Sequence, residues 1–179
     1  MISIIDYKAG NLTSVERALK MLSIPCRITH DPKLILHSDR VIFPGVGAAG
    51  EAMKALREEG VDAALKAYFL SGRPLLGICL GTQVILDFSE ENETPCLGII
   101  PGKVVRFPNP HRDNEGRILK IPHMGWNRVE WNRDHPLIQT IPRQSTFYFV
   151  HSYYPIPQDE NGILGRTEYG FLFPSVLAV

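Results

Sequence analysis

The sequence predicts an α/β fold, in which an open, mostly parallel sheet carries helices on both faces. Short apolar runs of strand length alternate with amphipathic segments of helix length as far as Glu90. Turn-forming aspartate, proline and glycine follow the apolar runs that end at Ile5 and Phe43. After Glu90, prolines and glycines separate short β-like runs, which predicts extra antiparallel hairpins in the C-terminal half.

Each strand and helix before Glu90 is predicted by its own residue pattern. The predicted strands cover residues 2–5, 25–29, 41–43 and 75–78. The predicted helices cover residues 12–22, 48–59, 61–70 and 80–88, with Gly60 as a stop signal between the second and the third. Because parallel strands end at the same edge of a sheet, we expect the turn at residues 6–11, the loop at 44–47 and Cys79 to converge there.

The second half is predicted to be mainly β-structure. Its β-like runs are residues 103–107, 117–121, 126–131, 146–150 and 163–166. Residues 108–116 are polar and rich in turn formers, so we expect an exposed loop there. The length fits one domain, and we predict a single domain over residues 1–179.

Composition narrows the functional classes. A hydrophobic content of 44% and a net charge of zero are ordinary for a globular protein and argue against nucleic acid or an anionic membrane as the main partner. Three cysteines at irregular spacing form no disulfide framework, which favours a reducing cytoplasm. No signal peptide, membrane span, cofactor motif or metal motif is expected from the sequence.

Cys79 is the strongest candidate for chemistry. It follows an apolar strand, with Gly77 two residues before it and Gly81 two residues after it, which is the spacing of a nucleophile elbow. A sharp strand-to-helix turn strains the nucleophile, and only glycine tolerates the close backbone approach beside it. A lone cysteine is usually a packing residue, and we assign Cys26 and Cys96 to packing because they lack this context.

The predicted turn would activate the sulfur. A free cysteine has a pKa of about 8.5, and the backbone N–H groups at a helix N-terminus favour its thiolate. We therefore expect Cys79 to be ionised, with the backbone N–H of Leu80 beside it as one half of an oxyanion hole. Such a donor is worth roughly 3 kcal/mol of transition-state stabilisation.

Four segments carry a resemblance to a known family. They are DYKAGNL at residues 6–12, PGVG at 44–47, GICLGTQ at 77–83, and PHMGWN at 122–127 together with YFVHSY at 148–153. The chain resembles the class I glutamine amidotransferases, which have a flavodoxin-like sheet. Within that family it is similar to the glutaminase subunits that serve histidine biosynthesis.

The resemblance implies a reaction and assigns roles. Cys79 would attack the side-chain amide carbon of glutamine, release ammonia and form a glutamyl thioester that water hydrolyses to glutamate. Leu80 and the loop residues Val46 and Gly47 would supply the oxyanion hole. The substrate-binding residues would be Gln83, His151, Ser152 and Tyr153.

The resemblance also implies a partner. Ammonia would pass to a cyclase subunit, a barrel enzyme, within a heterodimer. The residues expected to dock on that barrel are Asn11, Pro122, Met124 and Trp126. Methionine and tryptophan in an irregular polar stretch are typical interface anchors, although both could instead cover the local core.

The sequence departs from the family at its end. The family takes its general base and its orienting glutamate from a His-Pro-Glu motif near the C-terminus, and residues 1–179 contain no such motif. We therefore expect a C-terminally truncated chain that lacks the last strand and helix and has negligible glutaminase activity. The alternatives are a docking subunit without catalysis, and a glutaminase for another acceptor, as in vitamin B6 synthesis. The run at 122–127 argues against the latter.

Overall fold

The computed structural model describes residues 1–8 and 11–179, which divide into two compact units, residues 1–100 and 101–179. This division does not test the single-domain prediction. Within the described residues, none of the helices has both the length and the apolar character that a membrane span requires. The predicted α/β class, with a parallel sheet followed by antiparallel strands, is confirmed.

The first unit alternates strands and helices as predicted. Its elements are β1 (Ile2–Ile5), α1 (Leu12–Met21), β2 (Cys26–Thr29), α2 (Pro32–Leu36), β3 (Arg40–Gly45), α3 (Ala49–Glu58), α4 (Val61–Leu70), β4 (Leu75–Cys79), α5 (Leu80–Val84), β5 (Phe88–Ser89) and β6 (Thr94–Pro95). Strands β1 to β4 form a parallel sheet in the order β2-β1-β3-β4.

Successive side chains along each strand point to opposite faces of the sheet, and helices cover both faces. Ile4 packs with Leu19 of α1 on one face, whereas Ile5 and Phe43 pack with α3, α4 and α5 on the other. Each fully buried aliphatic or aromatic side chain contributes roughly 1.5–3 kcal/mol. The carboxyl ends of β1, β3 and β4 lie at one edge, which fixes the place where a ligand can bind.

The predicted helix 80–88 is wrong in its length, because α5 ends at Val84. The carbonyl groups of residues 84–87 accept hydrogen bonds from the N–H groups of residues 96–99 at 2.8–2.9 Å instead of continuing the helix. Phe88 and Ser89 then form β5, which pairs with β6. These acceptors are taken by residues distant in the sequence, so helical periodicity alone could not place the end.

The second unit is antiparallel. Its strands are β7 (Gly102–Arg106), β8 (His111–Arg112), β9 (Ile118–Leu119), β10 (His123–Arg128), β11 (Glu130–Trp131), β12 (Thr146–His151), β13 (Tyr153–Pro157), β14 (Ile163–Glu168) and β15 (Leu172–Leu177). Strand β10 pairs with β12, β7 with β13, β8 with β9, and β14 with both β11 and β15.

The loop predicted at residues 108–116 is exposed only in part. It contains β8, and His111 within it is buried, with its Nε2 donating to the carbonyl oxygen of Tyr169 at 2.6 Å. Aromatic packing around Phe107 pulls this segment inward, since the rings of Phe107 and His111 lie 5.3 Å apart. A polar composition does not reveal such a contact.

Candidate active site

Cys79 occupies the strained turn that its neighbours predict. It is the last residue of β4 and the N-cap of α5, with φ 56° and ψ −117°. A non-glycine residue with positive φ costs free energy that the surrounding structure must supply, and such strain clusters at functional sites. The prediction of a sharp strand-to-helix turn at Cys79 is therefore confirmed.

The two flanking glycines are required by close packing. A Cβ atom on Gly81 would overlap the carbonyl oxygen of Phe43 in β3. A Cβ atom on Gly77 would lie 2.8 Å from Cδ1 of Ile85 and 2.9 Å from the backbone nitrogen of Thr82. Both positions thus let the turn fold tightly against its neighbours.

The glycine-rich loop lies directly beside the turn. Strand register pairs Gly45 at the end of β3 with Cys79 at the end of β4. Beyond it Val46 is 51% exposed, and Gly47 has φ 94°, a conformation that favours glycine. The structure therefore brings Val46, Gly47, Leu80 and Cys79 to one edge of the sheet, as predicted, although their roles remain predictions.

The sulfur is not the activated thiolate that we predicted. The Leu80 N–H points to it and favours the anion, but burial by surrounding atoms outweighs this effect and raises the pKa of Cys79 above its ordinary value. The helix behind it has only five residues, which limits its dipole. The residue still has a solvent-exposed surface, so a reagent can reach it.

Alkylation should reveal this raised pKa. The rate of Cys79 modification by iodoacetamide is expected to rise with a midpoint above about 8.5, the value for a free cysteine, because only the thiolate reacts. The measurement is the pH dependence of the rate at Cys79 by mass spectrometry, with a cysteine-containing peptide as the control. A midpoint below that of the peptide would contradict the result.

The sequence did not reveal the roles of two residues near the loop, Tyr7 and Glu91. A cavity of about 280 Å³ beside it is lined by Tyr7, Lys8, Val46, Gly47, Ala48, Glu51, Ala52 and Ala55. The carboxylate of Glu91 accepts a hydrogen bond from the backbone N–H of Ala49 at 2.7 Å and so caps α3, which begins just after the loop. Tyr7 and Glu91 are both far in sequence from the loop residues that they lie beside, so no sequence motif predicts these contacts.

The predicted substrate residues fall in different units. Gln83 is half-buried in α5 of the first unit, four residues beyond Cys79. Residues 151–153 lie in the second unit, where Ser152 accepts a backbone hydrogen bond from Phe107 at 3.0 Å. The Nδ1 of His151 donates to the carbonyl oxygen of Tyr153 at 2.8 Å. These two carbonyl groups therefore already have partners.

Two histidines of the second unit form a directed pair. Since His151 donates through Nδ1, its Nε2 accepts from Nδ1 of His123 at 2.9 Å. Burial lowers the pKa of His123 to about 4 and also lowers the pKa of His151. Both rings are therefore neutral at pH 7, which suits a structural pair.

The predicted docking residues are exposed, and one of them, Asn11, also caps a helix. Met124 is 61% and Trp126 is 72% exposed on one face of β10, and Pro122 just before them is exposed too. Asn11 is also exposed, and its side chain accepts from the Ser14 N–H at 3.3 Å as the N-cap of α1. A capping role therefore explains Asn11 without a partner.

A cysteine on a strained elbow, beside a glycine-rich loop at the carboxyl edge of a parallel sheet, is the arrangement of α/β enzymes that work through a covalent intermediate. Comparison with known families specifies the class further. The family model described as glutamine amidotransferase class-I matches residues 3–169, and the chain belongs to this family.

Individual relatives agree with this assignment. The imidazole glycerol phosphate synthase subunit HisH of Nitratidesulfovibrio vulgaris (strain DP4) is 50% identical over 98% of this chain and 82% of that protein. The subunit of the same name from Nitrosococcus oceani is 47% identical over 99% of this chain and 83% of that protein. This coverage does not by itself support the predicted truncation, which stays a prediction.

A solved structure confirms the architecture. The crystal structure of a glutamine amidotransferase superposes with a TM-score of 0.65 at 20% identity and covers 96% of this chain and 82% of that chain. At this identity the likeness concerns the fold alone.

Proposed function

We propose that this chain is the glutaminase subunit of an imidazole glycerol phosphate synthase and acts in the cytoplasm. The observation that carries the proposal is Cys79, strained at φ 56° between two glycines that nothing larger can replace. Relatives that are about half identical over nearly the whole chain bear the name of this synthase subunit. Its reaction is the hydrolysis of glutamine to glutamate and ammonia.

Each step follows from a group at the sheet edge. Cys79 first gives its proton to a base, a role that the family resemblance assigns to the family's His-Pro-Glu motif. The resulting thiolate attacks the amide carbon of glutamine, and the oxygen of that amide becomes an oxyanion. The Leu80 N–H, which already points to the sulfur, and an N–H of the Val46–Gly47 loop bind this oxyanion. Gln83, four residues beyond Cys79 in α5, contacts the rest of the substrate, and the binding roles of residues 151–153 stay predictions. The base returns the proton to the amide nitrogen, so that the C–N bond breaks and ammonia leaves with a glutamyl thioester on Cys79. Water then hydrolyses the thioester to glutamate and restores the thiol.

One observation favours a second candidate, a subunit that docks without catalysis. Burial raises the pKa of Cys79, and the Leu80 N–H only partly opposes this effect. A thiol in this state needs a base before it can attack an amide. The two candidates differ in whether Cys79 reacts covalently with a glutamine mimic, and glutamine itself should block that reaction if the site is a glutaminase site.

The partner is the cyclase subunit, and the docking surface is the exposed face of the β10–β12 pair. Register places Met124 opposite Val150 and Trp126 opposite Tyr148, and all four side chains are more than half exposed. The Trp126 and Tyr148 rings meet edge to face at 5.6 Å. An aromatic and methionine patch of this kind is typical of an interface centre.

Trp126→Ala should weaken the heterodimer by about 10–100-fold in Kd, because a central tryptophan is a common hot spot. The measurement is titration calorimetry of the chain with the cyclase subunit of the same organism. Ile118→Ala is the matched control, since Ile118 is 66% exposed on β9, outside this face. An unchanged Kd for Trp126→Ala would contradict the docking surface, and no binding by the unmodified chain would contradict the partner.

A further inference from the structure

The His123–His151 pair belongs to a longer chain of hydrogen bonds in the second unit. Its first member is Asn127, whose side-chain amide nitrogen lies 3.4 Å from Nε2 of His123 and donates to the carbonyl oxygen of Glu168 at 2.8 Å. Its last member is the carbonyl oxygen of Tyr153, which accepts from Nδ1 of His151. The chain therefore runs from β10 through β12 to the first residue of β13.

The carbonyl group at the end of this chain decides where each proton lies. Because a carbonyl oxygen only accepts, Nδ1 of His151 carries a proton, and Nε2 of this neutral ring takes its hydrogen bond from Nδ1 of His123 at 2.9 Å. Nε2 of His123 is thereby left as the acceptor for the Asn127 amide. Loss of His123 would leave the Nε2 acceptor of His151 without its donor, so the ring would gain free energy by turning to another one.

Packing fixes the direction in which His123 donates. Its side chain is 3% exposed and stacks on the rings of Tyr169 and Phe149, with centroids 4.0 and 4.9 Å away. The Tyr169 ring is itself anchored, because its hydroxyl donates to the carbonyl oxygen of Lys120 at 2.7 Å. A ring packed in this way keeps its Nδ1 aimed at His151.

The chain closes a turn around Ser152. The side chain of His151 bonds to the carbonyl group two residues further on, while the carbonyl oxygen of Ser152 accepts from the N–H of Phe107 at 3.0 Å. Ser152 is half-buried between β12 and β13, and no backbone group among the described residues accepts a hydrogen bond from its N–H. A backbone donor that is held in place in this way suits an anionic group of a ligand.

We propose that His123 is a positioning residue for glutamine binding, which acts through His151 and keeps the Ser152 N–H in place for the α-carboxylate of the substrate. This inference rests on the proposed function and on the predicted binding role of residues 151–153. His123 is buried, so it acts only through its neighbour. Ordering the donor before glutamine arrives removes that entropy cost from binding.

His123→Phe tests this role, because it keeps a ring for stacking and removes the donor. The concentration of diazo-oxo-norleucine that gives half the limiting rate of Cys79 labelling is expected to rise roughly 3–10-fold, the loss of one hydrogen bond. The glutamine concentration that halves the labelling should rise by the same factor. The limiting rate should stay unchanged, because His123 is not among the groups that act on the sulfur.

His111→Phe is the matched control. His111 is also 3% exposed and belongs to the same aromatic cluster, but its hydrogen bond goes to the carbonyl oxygen of Tyr169, outside the chain. This variant should leave the half-saturating concentrations and the limiting rate unchanged. Unchanged half-saturating concentrations in His123→Phe, or an equal rise in both variants, would overturn the inference.

A second measurement separates this inference from the proposed function. In ¹⁵N NMR of the unmodified chain, the imidazole signals of His123 and His151 should both show the proton on Nδ1. The Ser152 amide proton shift should move in His123→Phe and stay in place in His111→Phe. If diazo-oxo-norleucine does not label the unmodified chain, the proposed function fails, and these signals then decide whether His123 holds the turn. A proton on Nε2 of either ring in the unmodified chain, or a Ser152 shift that is the same in both variants, would overturn the inference.

Discussion

Gly81→Ala is expected to destabilise the protein by at least about 3 kcal/mol, because the added Cβ atom would overlap the carbonyl oxygen of Phe43. Phe43 is fully buried in the central strand β3, so its backbone cannot yield without disturbing the sheet. The measurement is urea unfolding followed by circular dichroism. The midpoint should fall sharply while the slope stays constant.

Gly50→Ala provides the matched control in the same unit. Gly50 lies in α3, and its added Cβ atom would have its nearest neighbour, Oγ1 of Thr94, at 3.4 Å, an ordinary contact. Alanine also favours a helix, so this variant should be neutral or more stable by up to about 1 kcal/mol. If Gly81→Ala were as stable as Gly50→Ala, the tight packing behind the elbow would be refuted.

These glycines also show what local pattern can predict. The helix at residues 61–70 agrees with its prediction at both ends, since Gly60 marks its start and its apolar face is continuous. The strained turn at Cys79 likewise follows from the spacing of Gly77, Cys79 and Gly81 within five residues. Where the cause lies within one element, the sequence is sufficient.

The errors have causes that lie elsewhere in the chain. The end of α5 depends on donors from residues 96–99, and the pKa of Cys79 depends on burial by segments that meet only in the fold. Strands β13 and β15 were not predicted because prolines interrupt their patterns. Strand β13 contains Pro155 and Pro157, and β15 contains Pro174. Both lie at the end of their strand order within the second unit, where proline is tolerated.

The same limit applies to the site. Sequence spacing pointed to Cys79 and to the loop at residues 44–47. Both belong to short segments in which the glycines permit a tight turn or a close backbone approach. It could not identify Tyr7 or Glu91, whose contacts join the loop region to residues about 40 positions away. The carboxylate of Glu91 and the hydroxyl of Tyr7 have no local signature, so only the fold reveals them.

Cys79→Ser should lower the rate of labelling by diazo-oxo-norleucine at position 79 by at least about 1,000-fold, because a serine hydroxyl stays protonated where a thiol can ionise. The fold should be retained, since an oxygen replaces a slightly larger sulfur at a position with solvent contact. The measurement is peptide mapping by mass spectrometry after a timed reaction, with and without glutamine as a competitor.

Cys26→Ser and Cys96→Ser are the controls, because both cysteines are half-buried and burial raises the pKa of Cys96 to about 11. Labelling of Cys79 should be the same in these variants as in the unmodified chain, and glutamine should suppress it. Equal labelling of all three cysteines, or labelling that glutamine does not suppress, would mean that the reagent reports thiol exposure alone. Such a result would favour the docking subunit over the glutaminase. The chain would then have the fold and the strained elbow of the family but not its chemistry.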